Sequence, residues 1–511
     1  MARRIPFLVI LVGLFWFVQP VLAASNPLQA EIDPRVWQDL AISDKIDIIV
    51  RVRDLPALPE VVSTTDLLKT SALRQVDARI RAADTSQRNL RAELSASGVP
   101  FHTYWIVNLV ALQANQAEIE GLAARPDVVY IESDRAFQVP LETISSNVSQ
   151  PTSVDTVEPG ITYTHAPDLW ALGFKGQGAV VASADTGVAW DHPALKNQYR
   201  GWDGAQANHN YNWWDAIHTS IASNGKVCGL DSQFPCDDYG HGTHTVGTMV
   251  GDDGLGNQVG MAPDAKWIAC RNMDGGVGRP TTYIECLQFF IAPTDLAGKN
   301  PDPSKRPDVI DNSYSCPPSE LCSTTSLHEA VQQVRAAGIF MSVSAGNSGS
   351  SCATITDPPG LEAGVFTVGA VDAASGNMAP FSSRGPVTVG TAVYLKPDLV
   401  APGVFVRSSL VSGGYGNMSG TSMAAPHVAG AVALLWSAFP SLKRDVFFTE
   451  TLLRASALPL PVTQSCGSTP TGSVPNNTSG WGILDVKSAY DNLLIYLNSL
   501  VYKSYFPVLI H

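Results

Sequence analysis

Three residues in separate parts of the sequence have the types that nucleophilic catalysis by serine requires. Asp185 closes the apolar run 178–188, His241 opens the segment HGTHTVGTMVG, and Ser422 lies in GTSMAAPHVAG. Serine is a poor nucleophile at neutral pH, so an imidazole must accept its proton and a carboxylate must orient that imidazole. A serine at a helix start is also a common capping residue, so other parts of the sequence are needed to distinguish a nucleophile from a helix cap.

A fourth candidate, Asn347, lies between glycines in SAGNSG (344–349). An asparagine in that setting is ordinarily a turn residue. Beside a nucleophilic serine, its side-chain amide can instead stabilise the oxyanion of a tetrahedral intermediate, together with the backbone N–H of Ser422. We therefore interpret Asn347 as a candidate oxyanion-hole donor.

The other histidines near these motifs are interpreted as structural. His244 follows His241 by three residues, whereas the zinc-protease signature places two histidines at i and i+4 with a glutamate between them. His192 and His427 flank motifs, where a histidine more often packs or hydrogen-bonds than reacts. The sequence therefore predicts one catalytic histidine, His241.

Near-continuous apolar runs alternate with helical stretches from about residue 166 onward. Such runs are typical of parallel strands that are buried on both faces in an α/β protein. Sites in open α/β sheets gather at the carboxyl ends of the strands, which is where Asp185 and Asn347 lie. The four runs are GAVVASADTGV (178–188), DAKWIACRNMD (264–274), PDVIDNSYS (307–315) and GIFMSVSAGN (338–347).

Residues 45–138 predict a separate small unit. Its patterns indicate a strand at 45–52, a helix at 73–94, two strands within 101–114, a helix at 116–127 and a strand at 128–134. The order β-α-β-β-α-β is that of a split-βαβ, ferredoxin-like domain. Residues 141–160 are rich in Ser, Thr and Pro and lack an apolar period, so they are interpreted as a linker, which would be easily cleaved if exposed.

The first 23 residues have the features of a secretory signal, because Arg3 and Arg4 precede an apolar run that ends in small residues. An uncleaved membrane anchor is the alternative. The eight cysteines behind such a signal predict disulfides, and Cys228–Cys236 and Cys316–Cys322 are close enough in sequence to pair locally.

The formal net charge of −13, without a basic run, argues against nucleic acid as a partner.

Residues from about 175 to 490 resemble the subtilase family of serine proteases, and residues 45–138 resemble the inhibitory propeptide that accompanies such proteases. The motifs that carry the resemblance occur in the family's order. They are ADTGVAWDHPAL (184–195), HGTHTVGTMVG (241–251), SAGNSG (344–349), FSSRGP (381–386), KPDLVAPG (396–403), GTSMAAPHVAGAVALL (420–435) and GWGILDVKSAY (480–490).

The resemblance implies a three-layer α/β/α fold around a parallel sheet, preceded by a small α+β propeptide domain. It implies a catalytic triad of Asp185, His241 and Ser422, with Asn347 as oxyanion-hole donor. The expected divisions are a signal peptide (1–23), an inhibitory propeptide (45–138), a linker with the maturation cleavage (139–165), a catalytic domain (166–495) and a C-terminal tail (496–511). For the tail, a terminal strand is favoured over a sorting signal.

The segment DNSYSCPPSELC (311–322) departs from the family, whose members usually have a small polar residue, a hydrophobic one and then glycine. Ser313 and Tyr314 match the first two positions, and Ser315 replaces the glycine. The primary side-chain specificity is therefore open. The substrate-binding residues that the resemblance implies are Ser313, Tyr314, Ser315, Ser344, Ala345 and Gly346.

No cofactor is required for the chemistry, and a structural calcium is the less favoured expectation. Many subtilases bind calcium with a loop after the catalytic-histidine helix and with an acid after the His-Pro of the first motif. Here the loop offers the oxygen ligands that calcium prefers, but Ala194 replaces the acid. The candidate ligands of the loop are Asp252, Asp253 and Asn257.

Together these features predict a secreted, extracellular serine endopeptidase that is made as an inactive precursor. Its substrates are polypeptides, its own propeptide is an intramolecular inhibitor, and it is expected to be a monomer without membrane attachment once the signal is removed. Two alternatives stay open: a catalytically inactive subtilase-fold binding protein and a processing protease of narrow specificity. The complete triad disfavours the first of them.

Overall fold

The computed structural model describes residues 30–53, 65–142, 156–222, 227–314, 316 and 324–505. The predicted signal peptide, half of the predicted linker, Ser315 and Cys322 lie outside these residues. Below, the N-terminal unit denotes residues 30–136, the connecting segment 137–142 and the C-terminal unit 156–505.

The N-terminal unit is a five-stranded sheet with strand order β1-β5-β2-β4-β3. Strand β1 is parallel to β5, and the other pairs are antiparallel. The elements are β1 Glu31–Ile32, α1 Pro34–Leu40, β2 Ile46–Val52, α2 Thr65–Ser86, α3 Arg88–Ala96, β3 Phe101–Tyr104, β4 Leu109–Ala114, α4 Gln116–Ala123 and β5 Val128–Ser133. The helix expected at 73–94 is thus two helices, and β1 and α1 are elements that the sequence did not predict.

Both faces of this small sheet are buried. Along β2, Ile48 and Val50 pack inside the unit, whereas Ile49 points to the opposite face and joins a cluster shared with the C-terminal unit. Side chains alternate between faces along a strand, so one strand serves two interfaces. The N-terminal unit is therefore docked on the C-terminal unit through its sheet.

The C-terminal unit is built on a seven-stranded sheet with strand order β18-β15-β14-β13-β8-β11-β9. All of its strand pairs are parallel. The four predicted apolar runs form β8, β11, β13 and β14, as expected.

The elements that follow the N-terminal unit are β6 Phe137–Gln138, β7 Thr156–Val157, α5 Pro159–Tyr163, α6 Ala166–Ala171, β8 Val180–Asp185, β9 Trp213–Asp215, α7 His241–Val250, β10 Asn257–Gln258, β11 Lys266–Arg271, β12 Val277–Gly278, α8 Pro280–Ile291, β13 Val309–Asn312, α9 Thr324–Ala336, β14 Phe340–Ser344, β15 Phe366–Val371, β16 Val387–Val389, β17 Ala392–Tyr394, β18 Leu399–Pro402, β19 Val406–Ser409, β20 Tyr415–Met418, α10 Thr421–Ala438, α11 Val446–Ser456 and α12 Val486–Tyr505. Short 3₁₀ helices lie at Lys196–Gln198, Pro303–Lys305 and Pro440–Leu442.

Alternation along the parallel strands divides the core into two layers. Val181 and Phe340 pack with apolar residues of α7 and α10, whereas Ala182 and Met341 pack on the other face with residues of α8 and α9. A parallel sheet requires this cover on both faces, which is why its strands read as continuous apolar runs. The predicted three-layer α/β/α fold is confirmed.

Three disulfides lie within the described residues, and they join Cys228 to Cys236, Cys270 to Cys286 and Cys352 to Cys466. The first is the local pairing that the spacing predicted. Cys316 is also disulfide-bonded. The second disulfide ties β11 to α8, and the third joins positions 114 residues apart.

The expectation of a terminal strand in the tail is wrong for residues 496–505, because α12 continues to Tyr505. Leu493 is buried and Leu497, one helical turn later, packs against the same core. The apolar spacing of this region is therefore that of a helix face. Across the described ranges, no helix has the length and apolar character needed to cross a bilayer.

His427 makes the stability of the core depend on pH. It is fully buried in α10, where Nδ1 donates to the carbonyl of Met423 at 2.8 Å. Burial lowers the pKa of His427 to about 4, against about 6.5 in an unfolded chain. Unfolding therefore takes up a proton between these values, and the free energy of unfolding falls as the pH drops from about 6.5 to about 4.

We predict that His427→Gln, in an inactive Ser422→Ala chain, flattens the fall in unfolding free energy between pH 6.5 and pH 4. The slope should decrease by up to about 1.4 kcal/mol per pH unit, the value for one proton. Urea unfolding across this range measures it. His427→Met is the matched control for packing, because it should give the same slope as His427→Gln with a different overall free energy of unfolding. A slope equal to that of the parent chain in both variants contradicts the prediction.

Candidate active site

The start of α7 lies against the end of β8. Nδ1 of His241 is 2.9 Å from both carboxylate oxygens of Asp185, and both side chains are buried. Gly242 permits this approach, since a Cβ there would lie 2.2 Å from the carbonyl oxygen of Gly187 and 3.0 Å from the Cβ of Asp185. A side chain at position 242 would therefore keep α7 away from the end of β8.

Asp237 holds the two elements together. Its Oδ2 accepts hydrogen bonds from the backbone N–H and the hydroxyl of Thr243, at 2.9 and 2.6 Å. Its Oδ1 accepts from Gly240 N and from the hydroxyl of Thr186, just after β8. Sequence analysis missed this residue, although an aspartate shortly before a helix start is a known capping signal.

Ser422 is the second residue of α10, where helix geometry leaves backbone N–H groups without intrahelical acceptors. Pro426 has no N–H, so the Ser422 carbonyl lacks its normal donor four residues later. The hydroxyl of Ser313 lies 2.9 Å from that carbonyl oxygen and donates to it. Ser313 thus supports the nucleophile candidate from the end of β13.

Asn347 has a fixed side-chain orientation. Its Oδ1 accepts from the backbone N–H of Thr421 at 2.9 Å and from the Thr421 hydroxyl at 3.1 Å. The amide nitrogen therefore points to the opposite side, where Nδ2 donates to Oε1 of Glu142 at 2.5 Å. Thr421, immediately before Ser422, is a positioning residue that the sequence analysis did not single out.

The carboxylate of Glu142, at the end of the connecting segment, joins the candidate catalytic groups. Its Oε2 is 2.9 Å from Nε2 of His241, and its Oε1 accepts from the Ser422 hydroxyl at 3.0 Å as well as from Asn347. The structure therefore brings Asp185, His241, Ser422 and Asn347 together. Glu142 was not predicted, because no local pattern separates it from the surrounding linker sequence.

Two carboxylates face the imidazole of His241. Burial alone would lower the pKa of His241, but the Asp185 and Glu142 carboxylates outweigh burial and raise that pKa well above its ordinary value. Behind them, burial raises the pKa of Asp311 well above the usual range, and the Asp185 charge adds to this. Oδ2 of Asp311 lies 2.8 Å from the hydroxyl oxygen of Ser313.

The substrate-binding candidates within the described residues are four buried residues and one half-buried glycine. Tyr314 is buried and stacks on Tyr283 with ring centroids 4.5 Å apart, so its ring lies in the core. Ser344 and Ala345 are buried at the end of β14. Gly346 has φ of +93° and donates its N–H to the Thr421 hydroxyl at 3.1 Å. Ser315 lies outside the described residues.

The connecting segment runs along one wall of the site. Strand β6 pairs antiparallel with β12, and the N–H of Val139 donates to the carbonyl of Gly276 at 2.9 Å. Leu141 packs at the edge of the core cluster under α8 and α9. This pairing directs the chain toward Ser422 and delivers Glu142 there.

The histidines interpreted as structural are held by backbone carbonyls. Nε2 of His244 contacts the oxygens of Val406 and Gly416 at 3.1 and 3.2 Å, and burial lowers the pKa of His244 to about 3. Nε2 of His192 is 3.0 Å from the Gly414 oxygen. Within the described residues, no group of three or more His, Cys, Asp or Glu side chains is arranged to hold a metal.

In the loop considered for calcium, the oxygens are already hydrogen-bonded. Oδ2 of Asp253 accepts from the Tyr415 hydroxyl at 2.9 Å and from Asn257 Nδ2 at 2.7 Å. Oδ1 of Asn257 accepts from the guanidinium of Arg407, which lies 4.6 Å from the centre of the Tyr415 ring. Oδ1 of Asp252 accepts from the N–H of Gly254. A cationic side chain therefore contacts one of the three candidate ligands of this loop.

The chain is similar to known bacterial proteins over most of its length. The chain is 32% identical to Bacillopeptidase F of Bacillus subtilis over 507 residues, covering 92% of this chain and 33% of that protein, so it spans about a third of that relative's length. It is 29% identical to Subtilisin E of Bacillus subtilis over 337 residues, covering 66% of this chain and 72% of the relative. It is 32% identical to Subtilisin DY of Bacillus licheniformis over 290 residues, covering 56% and 87%.

A model of the subtilase family matches residues 176–482, which include the candidate site from Asp185 to Ser422. This match extends over more than half of the chain and over every strand of the seven-stranded sheet. The chain therefore belongs to the subtilase family of serine proteases.

Proposed function

We propose that this protein is an endopeptidase that hydrolyses peptide bonds of polypeptides through Ser422, His241 and Asp185. One observation carries the proposal: Nε2 of His241, the Ser422 hydroxyl and Nδ2 of Asn347 all lie within 2.5–3.0 Å of a single carboxylate. Three groups that meet around one carboxylate-sized anion can also meet around the reacting carbonyl of a substrate.

In the proposed reaction, Ser422 attacks the scissile carbonyl while Nε2 of His241 accepts its proton. Asp185 accepts a hydrogen bond from Nδ1, which fixes the tautomer and stabilises the imidazolium that forms. Nδ2 of Asn347 and the Ser422 N–H stabilise the oxyanion. His241 then protonates the leaving amine, and water hydrolyses the acyl-enzyme with the help of the same groups.

The protein is proposed to be a secreted zymogen whose N-terminal unit is an inhibitory propeptide, released by cleavage within 139–165. The signal-like start and the disulfides support secretion. Charged contacts between the units support the inhibitory role, since Glu329 of α9 pairs with Arg51 and, at 2.6 Å, with Arg79 of the N-terminal unit.

We predict that a fluorophosphonate labels Ser422 and abolishes the hydrolysis of a protein substrate by the matured enzyme. The reagent requires an activated serine, so Ser422→Ala should remove both labelling and activity. Peptide mapping of the labelled protein locates the modified residue. Ser499→Ala, at an exposed serine of α12, is the control that should keep both, and labelling of another serine refutes the assignment.

We predict that Asn347→Ala lowers kcat by about 10²–10³ with little change in KM, because the lost donor acts on the oxyanion rather than on bound substrate. Thr421→Val removes the hydroxyl that donates to the Asn347 amide oxygen but keeps the backbone N–H that also donates to it. The decrease in kcat should therefore be smaller than in Asn347→Ala. Steady-state kinetics on a peptide amide measures both. A change confined to KM in Asn347→Ala contradicts the oxyanion role.

The loop considered for calcium is proposed to need no metal, because Arg407 supplies its positive charge. We predict that chelation leaves Tm unchanged, whereas Arg407→Gln costs about 1–3 kcal/mol by leaving the Asn257 oxygen without a charged donor. Arg407→Lys keeps the charge without the planar guanidinium. Its stability should therefore lie between those of the parent chain and Arg407→Gln. Thermal unfolding of Ser422→Ala chains tests this, and a calcium-dependent rise in Tm that Asp253→Asn removes contradicts it.

A further inference from the structure

We propose that the catalytic centre is itself a carboxylate-binding site and that in the precursor its ligand is the side chain of Glu142, not a peptide carbonyl. The inference rests on the proposed function, because it assigns the binding groups to Ser422, His241 and Asn347. It adds Glu142, a residue of the connecting segment, whose charged side chain keeps the site occupied in the precursor.

The contacts of Glu142 match what the site offers to a reaction intermediate. Oε1 accepts from Asn347 Nδ2, one of the two donors expected for an oxyanion, and also from the hydroxyl of Ser422, whereas Oε2 faces Nε2 of His241. An oxyanion hole is arranged for a negatively charged oxygen, and a carboxylate carries one permanently. Hydrogen bonds of this charge-assisted kind are about twice as strong as neutral ones.

The carbonyl beside Glu142 has a partner outside the candidate catalytic groups. The carbonyl oxygen of Leu141 lies 3.4 Å from the hydroxyl of Tyr239 and accepts from it. The carboxylate of Glu142 instead fills the space over the backbone of Gly420, where a Cβ would lie 1.8 Å from Oε1. The group that contacts the candidate catalytic residues is therefore the Glu142 side chain, not the Leu141 carbonyl.

The segment before Glu142 is anchored, so that its carboxylate is presented at a high local concentration. Eight residues earlier, Asp134 accepts from the backbone N–H and hydroxyl of Thr281 at the start of α8, at 3.0 and 2.5 Å. The pairing of β6 with β12 fixes the residues between. A tethered ligand needs little intrinsic affinity to saturate its site.

The charge of Glu142 also changes the protonation of His241, in addition to filling the site. Both ring nitrogens of His241 face carboxylates, Asp185 on one side and Glu142 on the other, and with both acids ionised the ring must carry two protons. An imidazolium cannot accept the proton of Ser422. The other titratable groups that face these two side chains are His244 of α7, Asp311 of β13 and Tyr239.

The same charge sets the direction of the pH dependence. Contact with Glu142 raises the pKa of His241, so the contact is strongest while the ring is protonated. As the pH rises through the pKa of His241 the ion pair is lost, and the carboxylate is released more readily. We therefore expect the precursor to open as the pH rises through the pKa of His241.

The first experiment measures how fast a fluorophosphonate labels Ser422 in the freshly folded full-length precursor, whose band is separated by size from processed enzyme. Glu142→Gln and Glu142→Ala should be labelled roughly 10- to 100-fold faster than the wild-type precursor, as expected for loss of hydrogen bonds to a charged group. Glu120→Gln, at an exposed glutamate of the N-terminal unit, is the matched control and should not change the rate. Equal rates for wild type and both Glu142 variants overturn the proposal.

The second experiment does not use activity. In the Ser422→Ala precursor, with nitrogen-labelled histidine, NMR follows the titration of His241 with and without Glu142→Gln. The pKa of His241 should fall when the charge of Glu142 is removed, and an unchanged titration overturns the proposal.

In the first experiment, Glu142→Asp retains the charge on a shorter side chain. Its labelling rate should therefore lie between those of the wild-type precursor and Glu142→Ala.

The two experiments also separate this proposal from the proposed function. If Ser422 is not labelled in any form of the protein but the His241 titration shifts, the catalytic assignment fails and the carboxylate site stands. If Ser422 is labelled in processed enzyme but neither readout responds to Glu142, the endopeptidase stands and the carboxylate site fails.

Discussion

The contact between the start of α7 and the end of β8 is the constraint on which the rest of the site depends. Gly242 lies so close to Gly187 that any side chain there would collide with the backbone, and only this approach brings His241 to Asp185. Asp237 stabilises the contact by accepting hydrogen bonds from both elements. The buried parallel sheet supplies the rigid edge against which the helix is fixed.

The position of Ser422 depends on a different feature, a hydrogen bond that is missing inside α10. Pro426 costs the helix one hydrogen bond, and the carbonyl left without a donor is that of Ser422. The hydroxyl of Ser313 replaces the missing N–H from the neighbouring strand. The helix start is thereby tied to the sheet instead of only to its own next turn, and Thr421 in turn fixes the amide of Asn347.

The chemistry of the triad is what made part of the site predictable. Asp185, His241 and Ser422 could be found because a serine nucleophile requires these residue types, and the four apolar runs fixed the fold because buried parallel strands leave a clear pattern. Asp237 and Ser313 have local signals that are too common to be decisive. Glu142 could not be found, since its role comes from contacts with residues up to 280 positions away in the sequence.

Two charged side chains of this chain contact groups that were candidates for binding an external ion or a substrate. The guanidinium of Arg407 contacts Asn257 of the loop considered for calcium, and the carboxylate of Glu142 contacts the candidate oxyanion donor Asn347. An internal charge is held at a fixed distance and does not depend on the ligand concentration in solution. The difference lies in their anchorage: Arg407 is in a strand of the C-terminal unit, whereas Glu142 follows strand β6 after the N-terminal unit. In the proposed maturation, cleavage on the carboxyl side of Glu142 would remove the second charge and leave the first in place.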